Sequence, residues 1–446
     1  SRTGSCNVWL GYKAGGGDNS VCNVASSNIA IGMEAGACVC SGDNNVIAGK
    51  YAGKGRAATG NDNIFLGSYA GTEFTTGNKN VFLGMCAAYL ARTLSSSVVI
   101  GSCAGKCRCS GTENVFIGKD SGRGSSTTSN NTGNYNVVVT GRAGAFELTS
   151  GSSNVFLGDY VAACVTSGGS NVVLGRNAGR NITTGSENIF LGSCAGGTGT
   201  VTGTGYNIAI GCYAALDLTD GENNIVLGRN SGENITSGDS NIIIGCLAGC
   251  SLTTAQENIF LGNKAGRDTS TAAKKNLFLG DFAGYTNTTG CCNVAIGREV
   301  TLASATGSQQ LAIGDGSNRW ITGDSSFNVT VSTASTFSSG GLNVTGVVTA
   351  TSFAGGAADI TGDITAGGNI VGDNSTNISG INSVTATKFV GDGSELTGIA
   401  AGGGGGGEFN TGITNTVQAT PLSFETTMHT FPSTSGRQYV IESINV

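Results

Sequence analysis

The chain has 446 residues, 76 of them glycine and only 2 proline, with 12% charged residues and a formal net charge of −6. So weak a charge, without a basic stripe, argues against nucleic acid as a partner. The lack of any apolar run of about eighteen residues argues against a bilayer-spanning helix.

From Asn7 to Gly314 a unit Asn-(Val/Ile)-x-(Leu/Ile)-Gly returns about eighteen times, usually seventeen residues apart. The row of leading residues includes Asn7, Asn28, Asn63, Asn80, Asn114, Asn154, Asn171, Asn188, Asn207, Asn241, Asn258, Asn276 and Asn293, with Ser97 and Gln310 interrupting it. A fixed period of this length means a stacked array, in which each unit buries its apolar face only against its neighbours. Glycine this common without a Gly-X-Y triplet is not collagen. It is better read as turn chemistry at positive φ. The expected fold is therefore all-β: a β-solenoid or β-roll of about eighteen units over residues 1–314. At the strand spacing of ~4.8 Å that is roughly 85 Å of rod.

Counting Asn as position one, positions two and four (Val81 and Leu83, Ile208 and Ile210) are expected on one face of a short strand, and position three on the other. Position three is often aromatic: Phe65, Phe82, Phe116, Phe156, Phe190, Phe260 and Phe278. Apolar residues on both sides imply a strand covered twice. The economical arrangement puts one face in the chain's own coil and the other, with this Phe row, against a sister subunit in a homotrimer. Gly at position five ends the strand, and an x-x-Ala-Gly corner follows, as at Tyr69-Ala70-Gly71 and Lys264-Ala265-Gly266. Polar loops such as Thr183-Thr184-Gly185 absorb the length changes. The Asn row is read as a structural ladder of amides that closes the preceding turn, in preference to a row of ligand sites.

Fifteen cysteines leave at least one unpaired within the chain. Cys86 and Cys103 occupy the same place in adjacent units, within disulfide reach one rung apart, and Cys194 with Cys212 is nearly equivalent. These four are the candidate disulfide residues, and small apolar filler is the competing reading. With His429 the only histidine and no matched ligand spacing, neither a metal site, a cofactor nor a catalytic thiol is expected.

After Gly314 the period stops. Residues 315–400, with segments such as Phe327-Asn328-Val329-Thr330-Val331, suggest an intertwined β shaft. Residues 401–407 contain six consecutive glycines and are the expected hinge, and 408–446 the start of a small β module. The chain begins at Ser1 without Met and ends within an apolar-alternating stretch, which suggests an excerpt of a longer polypeptide.

The extended motif Asn-(Val/Ile)-x-(Leu/Ile)-Gly-x-x-Ala-Gly resembles the β-roll repeat in the heads of trimeric autotransporter adhesins. It is closer still to arrays in tail-fibre and appendage proteins of tailed phages, marine and cyanobacterial ones especially. Ile313-Gly314-Asp315-Gly316-Ser317-Asn318-Arg319-Trp320 and the stretch from Val384 to Ile399 look like shaft sequences of such virion proteins. The resemblance covers essentially residues 7–399. It implies a rigid homotrimeric fibre at a virion surface or outside a cell, contacting other virion or filament subunits and attaching to a host surface glycan or protein, with no membrane insertion. No heptad stalk or membrane-anchor barrel is visible, which counts against an intact autotransporter. A bacterial adhesin or surface filament is the alternative. Polysaccharide cleavage would need paired carboxylates, whereas Asp159, Asp217, Glu222 and Asp281 sit in loops without a recurring pair. Ice binding would favour a regular Thr-x-Thr row, which the variable Thr-Thr-Gly loops do not supply.

Overall fold

The computed structural model describes residues 4–16, 24–55, 58–126, 131–202, 205–271 and 273–331, with the short segments 431–432 and 438–439. The shaft beyond residue 331, the glycine hinge and most of the C-terminal module lie outside them. The chain divides into two units, Ser1–Leu342 and Asn343–Val446. In the second unit, β21 (Phe431–Pro432) and β22 (Gln438–Tyr439) pair antiparallel.

The first unit is a β-solenoid. Eighteen short strands, β1 (Val8–Leu10) through β18 (Leu311–Asp315), lie in chain order in one sheet, and among the described residues there is no helix. Consecutive strands pair parallel and in register, so that Ile225 meets Ile242 and Ile242 meets Ile259. Identical positions therefore stack into columns along the axis. Three columns fill the coil. The first is position three of each strand, including Ile47, Phe65, Val99, Phe190 and Ile243, all 0–1% exposed. The second is the alanine of the x-x-Ala-Gly corner: Ala52, Ala70, Ala104, Ala178, Ala248 and Ala265. The third comes from the far side of the turn, where Phe74, Val165, Ile182, Leu218, Ile235 and Leu252 are buried. Where two phenylalanines are consecutive in the first column their rings stack: Phe65 on Phe82 at 4.7 Å and Phe260 on Phe278 at 4.9 Å between centroids.

This arrangement corrects the face assignment. The Phe row (Phe65, Phe82, Phe116, Phe156, Phe190, Phe260, Phe278) is core of a single chain and is closed to any partner. Side chains alternate along a strand, so the buried Asn at position one and the residue at position three share the inner side, and positions two and four point out. The strand burial patterns repeat this, with the middle residue buried and its neighbours half-buried or exposed.

The corners depend on backbone sign. In nearly every rung the residue before the Asn and the residue at position seven take positive φ even when they are not glycine, as in Lys79 (58°), Ser170 (57°) and Asn177 (54°). Glycine at position five is demanded by space. A Cβ on Gly262 would stand 2.2 Å from the carbonyl oxygen of Gly280 in the next rung. The long rung beginning at Asn114 perturbs the stack locally: register shifts between Ile117 and Lys119, where β7 (Val115–Lys119) meets β8 (Val137–Arg142). At the end of the array the parallel pattern stops. β19 (Asn318–Gly323) turns back antiparallel on β18, and β20 (Val329–Val331) pairs antiparallel with β19. Residues 315–331 thus continue the solenoid sheet as a meander, where the sequence suggested the start of a shaft.

Candidate functional site

The asparagines stand on the inner side of the turn that enters each strand. From Asn28 to Asn293 they are buried, and each side chain joins three rungs' worth of backbone. Asn171 is representative. Its backbone N–H and Nδ2 both donate to Oδ1 of Asn154, at 2.9 and 3.1 Å. Its Nδ2 also donates to the carbonyl of Gly185, at 2.8 Å. Its own Oδ1 accepts from the N–H and Nδ2 of Asn188, at 3.0 and 3.1 Å. The same pattern runs through Asn45, Asn63, Asn80, Asn136, Asn207, Asn224, Asn241, Asn258 and Asn276. At the interruptions the ladder changes chemistry without breaking. Ser97 Oγ accepts from the Asn114 N–H, and the Gln310 N–H donates to Asn293 Oδ1. Buried and saturated, these amides bind the coil to itself and offer nothing to a ligand.

A second ladder escaped the sequence reading. Two residues before the Asn, a short polar side chain accepts the N–H of its counterpart in the preceding rung. Asp43 Oδ1 takes the Ser26 N–H at 2.6 Å, Asn61 that of Asp43 at 2.7 Å, and Asn78 that of Asn61 at 2.8 Å. Ser186 and Asp239 serve Gly169 and Glu222 in the same way. A third runs on the opposite corner, where hydroxyls of Thr149, Thr166 and Thr183 donate to carbonyls of Thr166, Thr183 and Val201. The signal was present in the recurring Asp/Asn/Ser and Thr at fixed offsets. It looked like generic loop composition.

The cysteines do not form the expected bridges. Cys86, Cys103, Cys194 and Cys212 all carry free thiols. Cys86 and Cys103 do occupy the same corner of adjacent rungs, and burial, with the Cys103 neighbour second, pushes the Cys86 thiol up. Cys194 and Cys212 are out of phase. The positive-φ residues of these corners are Cys194 and Tyr213, and the N–H of Tyr213 bonds to Ser193. Cys212 is one residue early, so its side chain leaves the corner in another direction. Cys164 and Cys250 are likewise pushed up by burial. A raised thiol is a weaker nucleophile at neutral pH.

Among the described residues, Arg108 is the one fully buried cation of the coil. It occupies the third column, which Phe74, Val165, Ile182 and Leu218 fill in other rungs. Its guanidinium reaches across the enlarged rung to the carbonyls of Leu148, Thr149 and Gly133, at 3.1, 3.2 and 2.6 Å, and lies over the Phe116 ring at 5.4 Å. Desolvation pushes its pKa down to about 10, which still leaves a cation at neutral pH. Of the acids weighed for polysaccharide cleavage, Asp159 meets Arg142, Asp217 accepts from Thr198, and Asp281 accepts from Asn263.

The remaining face is the outer side of the strands. Positions two and four of all eighteen parallel strands are aliphatic, and many are well exposed: Leu10 is 64% accessible, Leu83 42% and Leu279 44%. Compared with known protein families, characterised proteins and solved structures, the chain matches none.

Proposed function

We propose that this chain is a structural fibre subunit: a stiff, self-associating rod, most simply a homotrimer, that serves in a phage virion fibre for host attachment or spacing. The observation that carries the reading is the unbroken run of in-register parallel pairings from β1 to β18, reinforced in nearly every rung by a buried amide. A coil whose every rung is hydrogen-bonded to the next on the strand and at the corners resists bending, and a stiff spacer has a mechanical use. The sequence resemblance to phage fibre arrays supplies the biological setting, with a bacterial surface filament as the alternative on the same grounds.

The test is direct. Native mass measurement of the purified chain should give three copies, and electron microscopy should resolve a straight rod segment of roughly 85 Å. A monodisperse single chain removes the self-associating reading, and a bent or beaded particle removes the spacer.

A further inference from the structure

We infer that the self-association surface is the outer strand face, formed by positions two and four, and that its occupant is another copy of the same chain lying alongside in the same rung spacing. The inference rests on the fibre reading above and assigns the face that reading needs. Two side chains from each of eighteen strands, thirty-six in all, point outward, and each is Val, Ile or Leu except Ala48. None is polar. On a strand face left in water, alternation with polar residues is the rule. Twelve of these outward side chains are more than a third accessible and the others half-buried, so the stripe offers on the order of 1,000–2,000 Å² per chain. The largest apolar patch of an ordinary monomer is about 300–600 Å², and a standard specific interface uses about 800 Å² per partner.

The identity of the occupant follows from period and extent. The stripe is regular: Ile208, Ile225, Ile242 and Ile259 stack in one column and Ile210, Leu227, Ile244 and Leu261 in the next. A partner that fills this surface along its whole length has to present apolar groups at the same ~4.8 Å repeat. A second copy does so by construction, ridge against groove, with its axis parallel to the first. The opposite side of the strand cannot contribute, because Phe65, Phe190 and Phe278 are sealed inside their own chain.

The experiment replaces three outward leucines spread along the rod, Leu83→Glu, Leu157→Glu and Leu279→Glu, in the full chain, and reads stoichiometry by sedimentation beside far-UV circular dichroism. The expected result is a single-chain species with unchanged β signal. A wild-type chain that is itself monomeric defeats both the fibre reading and this inference. A wild-type oligomer that the three glutamates leave intact defeats only the assignment of the face. If the variant does not fold, a photo-crosslinking residue at Leu157 in an otherwise native chain decides. Crosslinks to outward strand positions of another copy support the inference. Crosslinks confined to the same chain, or made to a co-purifying protein of different sequence, overturn it.

Discussion

At the scale of single residues, the corners hold side chains in a conformation most residues avoid. In nearly every rung the residue before Asn and the residue at position seven sit at φ near 55°, with Lys79, Ser170, Glu187 and Lys264 among them. The left-handed region costs an ordinary L-residue about 1–2 kcal/mol. Replacing Ser170, exposed and with its N–H kept on Ser152, by glycine removes that strain. The gain is partly offset by glycine's greater freedom when unfolded. Ser170→Gly should therefore raise the unfolding free energy by a few tenths to about 1 kcal/mol in a denaturant titration. The inner amides lie at the other extreme. Asn171→Ala strips the acceptor from the N–H and Nδ2 of Asn188 and the donor from Gly185. With these groups buried, the loss should be on the order of 2–4 kcal/mol. Hydrogen exchange should then speed up first at Asn188 and its neighbours, and uniform exchange along the coil would count against a ladder of local bonds.

At the scale of one rung, the glycine at position five and Arg108 set what the stack tolerates. Gly262→Ala drives a methyl into the Gly280 carbonyl, so the rungs have to part. A loss of several kcal/mol is expected, against a small effect for alanine at an exposed loop position. Arg108 compensates for the enlarged rung that starts at Asn114, filling the column and meeting three carbonyls. Arg108→Ala leaves both a cavity and unpaired acceptors and should cost about 3–5 kcal/mol. Arg108→Met keeps the volume and should cost less, a ranking that thermal melts can check. These two cases also mark how far the sequence can be read. The period, the all-β solenoid and the Asn row follow from spacing alone, because identical residues at a fixed interval have to stack. Which side is inside does not follow from the spacing, because positions two, three and four are all apolar. The parity of Asn with position three held the answer: a column of amides that bonds to itself belongs inside, and it takes Phe190 with it. Arg108 was illegible for a different reason. Its partners Leu148 and Gly133 lie 40 and 25 residues away, across a rung whose extra length alters the count.

At the scale of the molecule, the solenoid behaves as a sum of rungs, and removing whole rungs tests this without disturbing any single contact type. Residues 171–257 comprise five units, beginning at Asn171, Asn188, Asn207, Asn224 and Asn241. Excising them joins Ser170 directly to Asn258, so each corner, strand and amide keeps its phase. The Asn154 carboxamide then meets Asn258, Val155 meets Ile259, and Phe156 stacks over Phe260 in the core. Near-additive repeat energetics predict a folded chain with a rod shorter by roughly 24 Å, five steps of ~4.8 Å. Excising 166–257 instead joins Val165 directly to Asn258 and leaves twelve residues where the shortest rungs have seventeen. The chain from Val155 then cannot complete a turn and place Ile259 above it, and the parts of the coil on either side of the junction should melt separately. If the in-phase deletion unfolds as badly as the out-of-phase one, the coil is a single cooperative globule and rung stacking is not what holds it together.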